Sequence, residues 1–148
     1  HARLLAVLED LGTAATREGA PWDTERRAEF LRRARDGEVT VAWYGDVRLD
    51  LFVPSIPFYE DARRTLREVA FPDGVRRRVL SPEALAVFKL LFFRDKDLGD
   101  LRRLVAVQRE ALDAGWVRSH IAAMVGEQDD RVRAWDDIVR QHGAPPAS

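Results

Sequence analysis

Leu4, Leu5, Leu8 and Leu11 recur at three- and four-residue spacing, which predicts an amphipathic helix over Arg3 to Leu11, ended by Gly12. Gly19, Ala20 and Pro21 mark a loop. A second helix is expected over Thr24 to Arg35, with Asp23 as its N-cap and Asp36-Gly37 closing it. It carries Arg26, Arg27, Arg32, Arg33 and Arg35 but few large apolar residues, and so reads as peripheral. The apolar period then changes to two. Val39, Val41 and Trp43 lead into Gly45-Asp46, a two-residue turn suited to a hairpin, and Val47 to Val53 returns. Pro54 and Pro57 end that strand. Phe58 to Arg67 is predicted helical, and Glu68 to Leu80 forms a second hairpin around Pro72-Asp73-Gly74.

From Ser81 onward helical spacing takes over. Ser81 is an N-cap, Pro82 sits at the first helical position and Glu83 lies in the first turn, where a carboxylate is favourable. Further helices are expected over Asp97 to Glu110, Trp116 to Val125 and Asp130 to Gln141. The pattern gives an α+β (α/β) chain. Residues 1–80 form the α/β part, residues 81–142 a C-terminal helical bundle, and residues 143–148 a flexible tail. The hairpin through residue 50 is expected inside a mixed sheet flanked by helices.

Composition narrows the chemistry. The chain has 148 residues and no cysteine, which excludes a disulfide scaffold, a cysteine zinc site and a thiol nucleophile. The longest apolar stretch, Ala84 to Phe93, falls far short of the roughly 20 residues of a membrane span, so no membrane partner is expected. A net charge of -1 gives no global field toward nucleic acid. Any such binding needs a local patch, either Arg76-Arg77-Arg78 or the Arg26 to Arg35 helix. The cations are almost all arginine, as a GC-rich genome would produce, and the two lysines, Lys89 and Lys96, fall in one segment. Beginning at His1, with Met124 as its only methionine, the chain reads as part of a longer reading frame or a processed product.

Three places could carry chemistry. Asp50, opposite Val41 if Gly45-Asp46 is the turn, lies on a strand apolar on both faces. An ionised carboxylate there needs an ion pair, a metal or an open sheet end. Lys89 is the one polar residue from Ala84 to Phe93. It either snorkels to water or emerges into a cleft as a point charge for phosphate. The segment Arg94-Asp95-Lys96-Asp97-Leu98-Gly99-Asp100-Leu101 reads as helix punctuation, with Asp97 as N-cap and Asp100 in the first turn, or as part of a site. His120 and His142 lack metal-ligand spacing, and no nucleophile elbow or Gly-rich phosphate loop is present.

Taken together, Arg48-Leu49-Asp50-Leu51-Phe52-Val53, then Leu80 to Leu91 with its Ser-Pro-Glu opening and Lys89, then Arg94 to Leu101, resemble the minimal nucleotidyltransferase superfamily. The closest resemblance is to AbiEii-type toxins of toxin–antitoxin systems. It covers about residues 38 to 110 and rests on the order of the segments and the Lys-to-Asp spacing. The family's first motif, a Gly-Gly or Gly-Ser turn before a strand with paired acidic residues, is not in this sequence and is expected upstream of His1.

The resemblance implies nucleotidyl transfer from a nucleoside triphosphate to RNA, most simply a tRNA 3′ end, with Mg²⁺ bridging carboxylates and triphosphate. It implies Asp50 as the acidic residue and metal ligand that helps activate the acceptor hydroxyl. Lys89, helped by Arg94, would hold the triphosphate, and Asp97 and Asp100 would complete the site. It further implies a cognate antitoxin protein as partner and a cytoplasmic location. Asp50 and Lys89 are expected to face one cleft, with Arg94 and one of Asp97 or Asp100 nearby. A non-catalytic nucleotidyltransferase-like domain that pairs with a partner protein is the alternative.

Overall fold

The computed structural model describes residue 6, residues 23–36, 38, 40–44, 47–52 and 54–143. The expected helix over Arg3 to Leu11, apart from helical Ala6, lies outside them, as do the Gly19 to Pro21 loop, the Gly45-Asp46 turn and tail residues 144–148. The fold class is α+β. Helices and antiparallel hairpins fall into two compact units, His1–Pro57 and Phe58–Ser148.

In the first unit, α1 spans Thr24–Arg35. Asp23 caps it as expected, its Oδ1 accepting from the Arg26 amide at 3.0 Å. Among the described side chains of this helix Phe30 is the buried one, while its arginines lie on exposed or half-buried faces, so α1 is peripheral within its unit. Strand β1, Thr40–Tyr44, pairs antiparallel with β2, Val47–Leu51. The register sets Val41 opposite Asp50, as the two-residue turn requires.

The second unit opens with α2, Phe58–Arg64, three residues shorter than the pattern suggested. Strands β3, Arg67–Ala70, and β4, Arg76–Val79, form the second hairpin, with Glu68 opposite Arg78 and Ala70 opposite Arg76. Gly74 sits at φ +77°, a conformation glycine adopts without a Cβ penalty, and Asp73 Oδ1 accepts from the Val75 amide at 3.0 Å to close the turn. Among the described residues each hairpin is a two-stranded antiparallel sheet of its own, so the mixed sheet expected around Asp50 is not formed by them.

Four helices follow: α3, Pro82–Phe92; α4, Asp95–Gln108; α5, Ala114–Val125; and α6, Asp130–His142. A 3₁₀ turn, Arg109–Ala111, joins α4 to α5. Three of these four helix starts are capped by a side-chain oxygen. Ser81 Oγ accepts from the Ala84 amide at 3.1 Å, Asp113 from Trp116 at 2.8 Å and Asp129 from Arg131 at 2.9 Å. The core is the meeting of their apolar faces, with Val87 and Leu90 of α3, Leu101 and Val105 of α4, Val117 and Ile121 of α5, and Val132 and Trp135 of α6 all essentially inaccessible. Trp135 satisfies its indole N–H on the Ala114 carbonyl at 3.1 Å. Phe58 and Ala62 of α2 belong to the same core, which moves the division between the units from residue 80 back to Pro57–Phe58.

Candidate functional site

The corner between α3 and α4 brings together four of the five residues singled out from the sequence. Helix α3 ends because Phe93 takes a left-handed conformation, φ 53°, with its amide bonded to the Lys89 carbonyl at 3.0 Å. Arg94 is extended and occupies the N-cap of α4. The two helices therefore turn back on each other within two residues. The side of α3 that carries Lys89 faces the first turns of α4.

Asp97 is the centre of the cluster. Its side chain is 0 % exposed. Oδ1 accepts from Lys89 Nζ at 3.0 Å and from Arg94 Nη2 at 3.3 Å. Oδ2 accepts from Arg94 Nε at 2.6 Å and from the Arg94 amide at 3.3 Å. The sequence reading placed Asp97 at the N-cap, and the structure corrects this. The helix begins two residues earlier, Asp97 is its third residue, and its carboxylate reaches back to the backbone of the capping residue, as in half of a capping box. Its burial is sustained because both oxygens meet cations. The Arg94 guanidinium, then Lys89, hold the Asp97 carboxyl well below the usual carboxylate range against the opposing effect of burial.

Asp100 differs in exposure. Its Oδ2 lies 2.6 Å from Lys89 Nζ, yet its side chain is 45 % exposed. The hydrogen bond from Lys89 lowers its pKa. That same bond to Asp100 is the largest influence raising the pKa of Lys89, ahead of burial, which works the other way, and of Asp97. Lys89 is neither a simple snorkelling lysine nor a bare charge. Its stem lies in a helix buried on most sides, and its ammonium, at the end of a side chain 23 % exposed, sits between two carboxylates. Arg94 is half-exposed, with its guanidinium over the Phe92 ring at 4.9 Å. The four charges of the cluster sum to zero, and its inner carboxylate is fully buried.

Asp50 belongs to the first unit. It is exposed and its Oδ1 accepts from Arg48 Nε at 2.8 Å, both side chains standing in solvent. Of the alternatives open for Asp50, the one observed is an ion pair with an arginine at a solvated position. Leu49 and Leu51 line the half-buried side of β2, whereas Asp50 lies on the open side with exposed Val41 opposite.

No group of three or more acidic, histidine or cysteine side chains that could hold a metal ion occurs among the described residues. Asp97 has both oxygens committed to Lys89 and Arg94, and Asp50 faces Arg48. These residues do not fit a Mg²⁺ site. No step through a metal is derived from them.

Sequence reasoning missed a buried contact at the opposite end of α3. Glu83, assigned only to the favourable first turn of α3, is buried and binds Arg67 of β3 at 3.2 Å and 3.4 Å, while its Oε1 accepts from the Asp113 amide at 3.5 Å. It ties the second hairpin and the start of α5 to the start of α3. Its adjacency to Ser81-Pro82 was the available signal, but the partners are 16 and 30 residues away and no local pattern names them. His120 is partly buried, with its ring 3.8 Å from that of Trp116 and its Nδ1 donating to the Trp116 carbonyl at 2.8 Å.

No family model, curated protein or solved structure matches this chain. No described helix is long and apolar enough to cross a membrane.

Proposed function

We propose that this chain is part of a nucleotidyltransferase-like protein that moves a nucleotide from a nucleoside triphosphate to RNA, with the α3–α4 corner as its polyphosphate-facing element. The observation that carries the reading is the convergence on Lys89 of Asp97 and Asp100, eight and eleven residues away, with Arg94 on the other side of Asp97. A buried carboxylate that holds two cations side by side fixes two donors for phosphate oxygens before a ligand arrives. In this reading Lys89 and Arg94 bind the polyphosphate. Asp97 is a positioning residue, since it is fully buried and acts through them. Asp50 has the role that the resemblance gives it, helping an acceptor hydroxyl attack the α-phosphate. The new phosphodiester forms as the bond to pyrophosphate breaks, and the hydroxyl proton passes to a base. A tRNA 3′ end as acceptor, a cognate antitoxin, a toxin role and a cytoplasmic location belong to the same proposal and rest on the resemblance. RNA would lie along arginines such as Arg76 and Arg78 of β4 or those of α1, and binding would weaken steeply with salt.

The test is incubation of the intact protein with Mg²⁺, each α-labelled nucleoside triphosphate and total tRNA, beside Lys89→Ala. Label transfer that falls roughly 10²-fold or more in the variant supports the reading. Equal transfer by the variant, or none by the intact protein, favours a second reading, a non-catalytic domain of this ancestry that pairs with a partner protein. The observation favouring that second reading is the absence of a metal-ligand group among the described residues.

A further inference from the structure

The two aspartates on Lys89 are not equivalent, and the difference has a consequence for ligand binding. Asp97 is enclosed and shared with Arg94, so it cannot leave without stranding charge. Asp100 reaches Lys89 from one turn further along α4. It is half-exposed, and its other cationic neighbour is the highly exposed Arg103 at 3.9 Å. A rotamer change can carry its carboxylate into water at little cost. Lys89 and Asp97 would stay where they are. On α3, exposed Leu85 and Phe92 stand one turn on either side of Lys89, so the ammonium emerges through apolar ground that weakens competition from water.

We propose that Asp100 is a built-in occupant of an anion site on Lys89, and that a triphosphate binds by displacing it. The inference rests on the nucleotide reading above and adds how the site is regulated. The carboxylate and a phosphate oxygen are the same kind of acceptor for an ammonium, so the 2.6 Å contact marks where a phosphate oxygen docks. With Asp100 in place the cluster is neutral. With Asp100 turned out, Lys89 and Arg94 outweigh Asp97 by one positive charge at the surface. The site therefore discriminates by charge. A monoanion gains little over the carboxylate it displaces, whereas a polyphosphate brings several negative charges to the same two cations. Binding of weak anions is suppressed until a polyphosphate competes.

The experiment is isothermal titration of the protein with inorganic tripolyphosphate, and separately with inorganic phosphate, at low salt without divalent cations. The variants are Asp100→Asn, Lys89→Met and Asp137→Asn, the last removing one exposed carboxylate from α6, where Asp137 pairs with Arg140 and not with Lys89. Circular dichroism checks that each is folded. Asp100→Asn is expected to bind tripolyphosphate roughly three- to tenfold tighter than the natural chain, the size of one partly exposed ion pair given up plus one fewer facing charge. It should also gain measurable affinity for inorganic phosphate. Lys89→Met should lose binding, and Asp137→Asn should match the natural chain. If Asp100→Asn binds no tighter while Lys89→Met still loses binding, the displacement idea is overturned and the nucleotide reading stands. If Asp137→Asn tightens binding equally, the effect is net charge and the idea is likewise overturned. If neither the natural chain nor Asp100→Asn binds tripolyphosphate, both the inference and the nucleotide reading fall.

Discussion

Replacing Asp97 by asparagine tests whether the corner is held by a buried charge or merely decorated by one. Asparagine keeps the volume but has one acceptor oxygen in place of two, and its amide group must face either Lys89 or the Arg94 guanidinium. At least one charge-assisted bond is lost, and such bonds contribute about 1.5–3 kcal/mol each. The donor-to-donor contact adds to that loss. Two features keep the loss below that of a fully stranded buried charge, about 3–5 kcal/mol. Lys89 retains Asp100, and half-exposed Arg94 can turn to water. The expected destabilisation is about 2–4 kcal/mol. In a unit the size of Phe58–Ser148 that corresponds to a fall in Tm of roughly 10–25 °C.

Urea and thermal unfolding of the whole protein, followed by far-ultraviolet circular dichroism, measures it. The pH dependence gives a second readout. The Asp97 carboxyl is held far below its ordinary value in the folded state. Its contribution is therefore complete above the unfolded aspartate pKa of about 3.9 and is lost as pH falls below that toward the folded value. Asp97→Asn should lose stability at neutral pH and show a correspondingly flatter acid limb below about pH 4. A loss under about 0.5 kcal/mol at pH 7, or an acid limb unchanged from that of the natural chain, would refute the assignment of Asp97 as a buried clamp.

Two further substitutions separate fold from function. Ser81→Ala removes the buried cap of α3 and leaves the Ala84 amide without its acceptor, so the urea midpoint should drop by the equivalent of about 1–2 kcal/mol; no drop would show that the hydroxyl is not the cap. Asp50→Asn breaks an exposed pair and should change stability by less than about 1 kcal/mol, while nucleotide transfer falls by roughly 10²-fold or more; unchanged transfer would remove Asp50 from the reaction.

Where the sequence was legible, a local rule carried the information. The two-residue spacing between β1 and β2 fixes the register that puts Val41 against Asp50. Ser81 followed by Pro82 marks the start of α3 because an oxygen acceptor and a residue without an N–H both suit that end of a helix. The start of α4 was less legible. In Arg94-Asp95-Lys96-Asp97 the residue type points to Asp97 as the cap, but where the helix starts depends on how α3 ends. Phe93 adopts a left-handed conformation seldom taken by an aromatic residue, so nothing in the composition announced that the chain would turn there. Once it does, Arg94 becomes the cap and Asp97 moves inside. The division between units failed for a related reason. Seven-residue α2 buries only Phe58 and Ala62, and their partners lie on helices much later in the chain.

The Lys89 site falls between these cases. A single lysine in an apolar helix signals that an anion must meet it, because an unpaired ammonium at that depth is costly. The sequence could not say whether the anion would be the protein's own or a ligand's. The structure supplies two carboxylates of its own, and their inequality makes both answers compatible. Asp97, enclosed and shared, is the part of the answer that belongs to folding. Asp100, half-exposed and held mainly by Lys89, is the part that can be exchanged. A partly exposed ion pair contributes little to stability, so the corner does not depend on the outer carboxylate to hold it together. Leaving the outer one in water costs the fold almost nothing and keeps one face of Lys89 open to a more highly charged competitor.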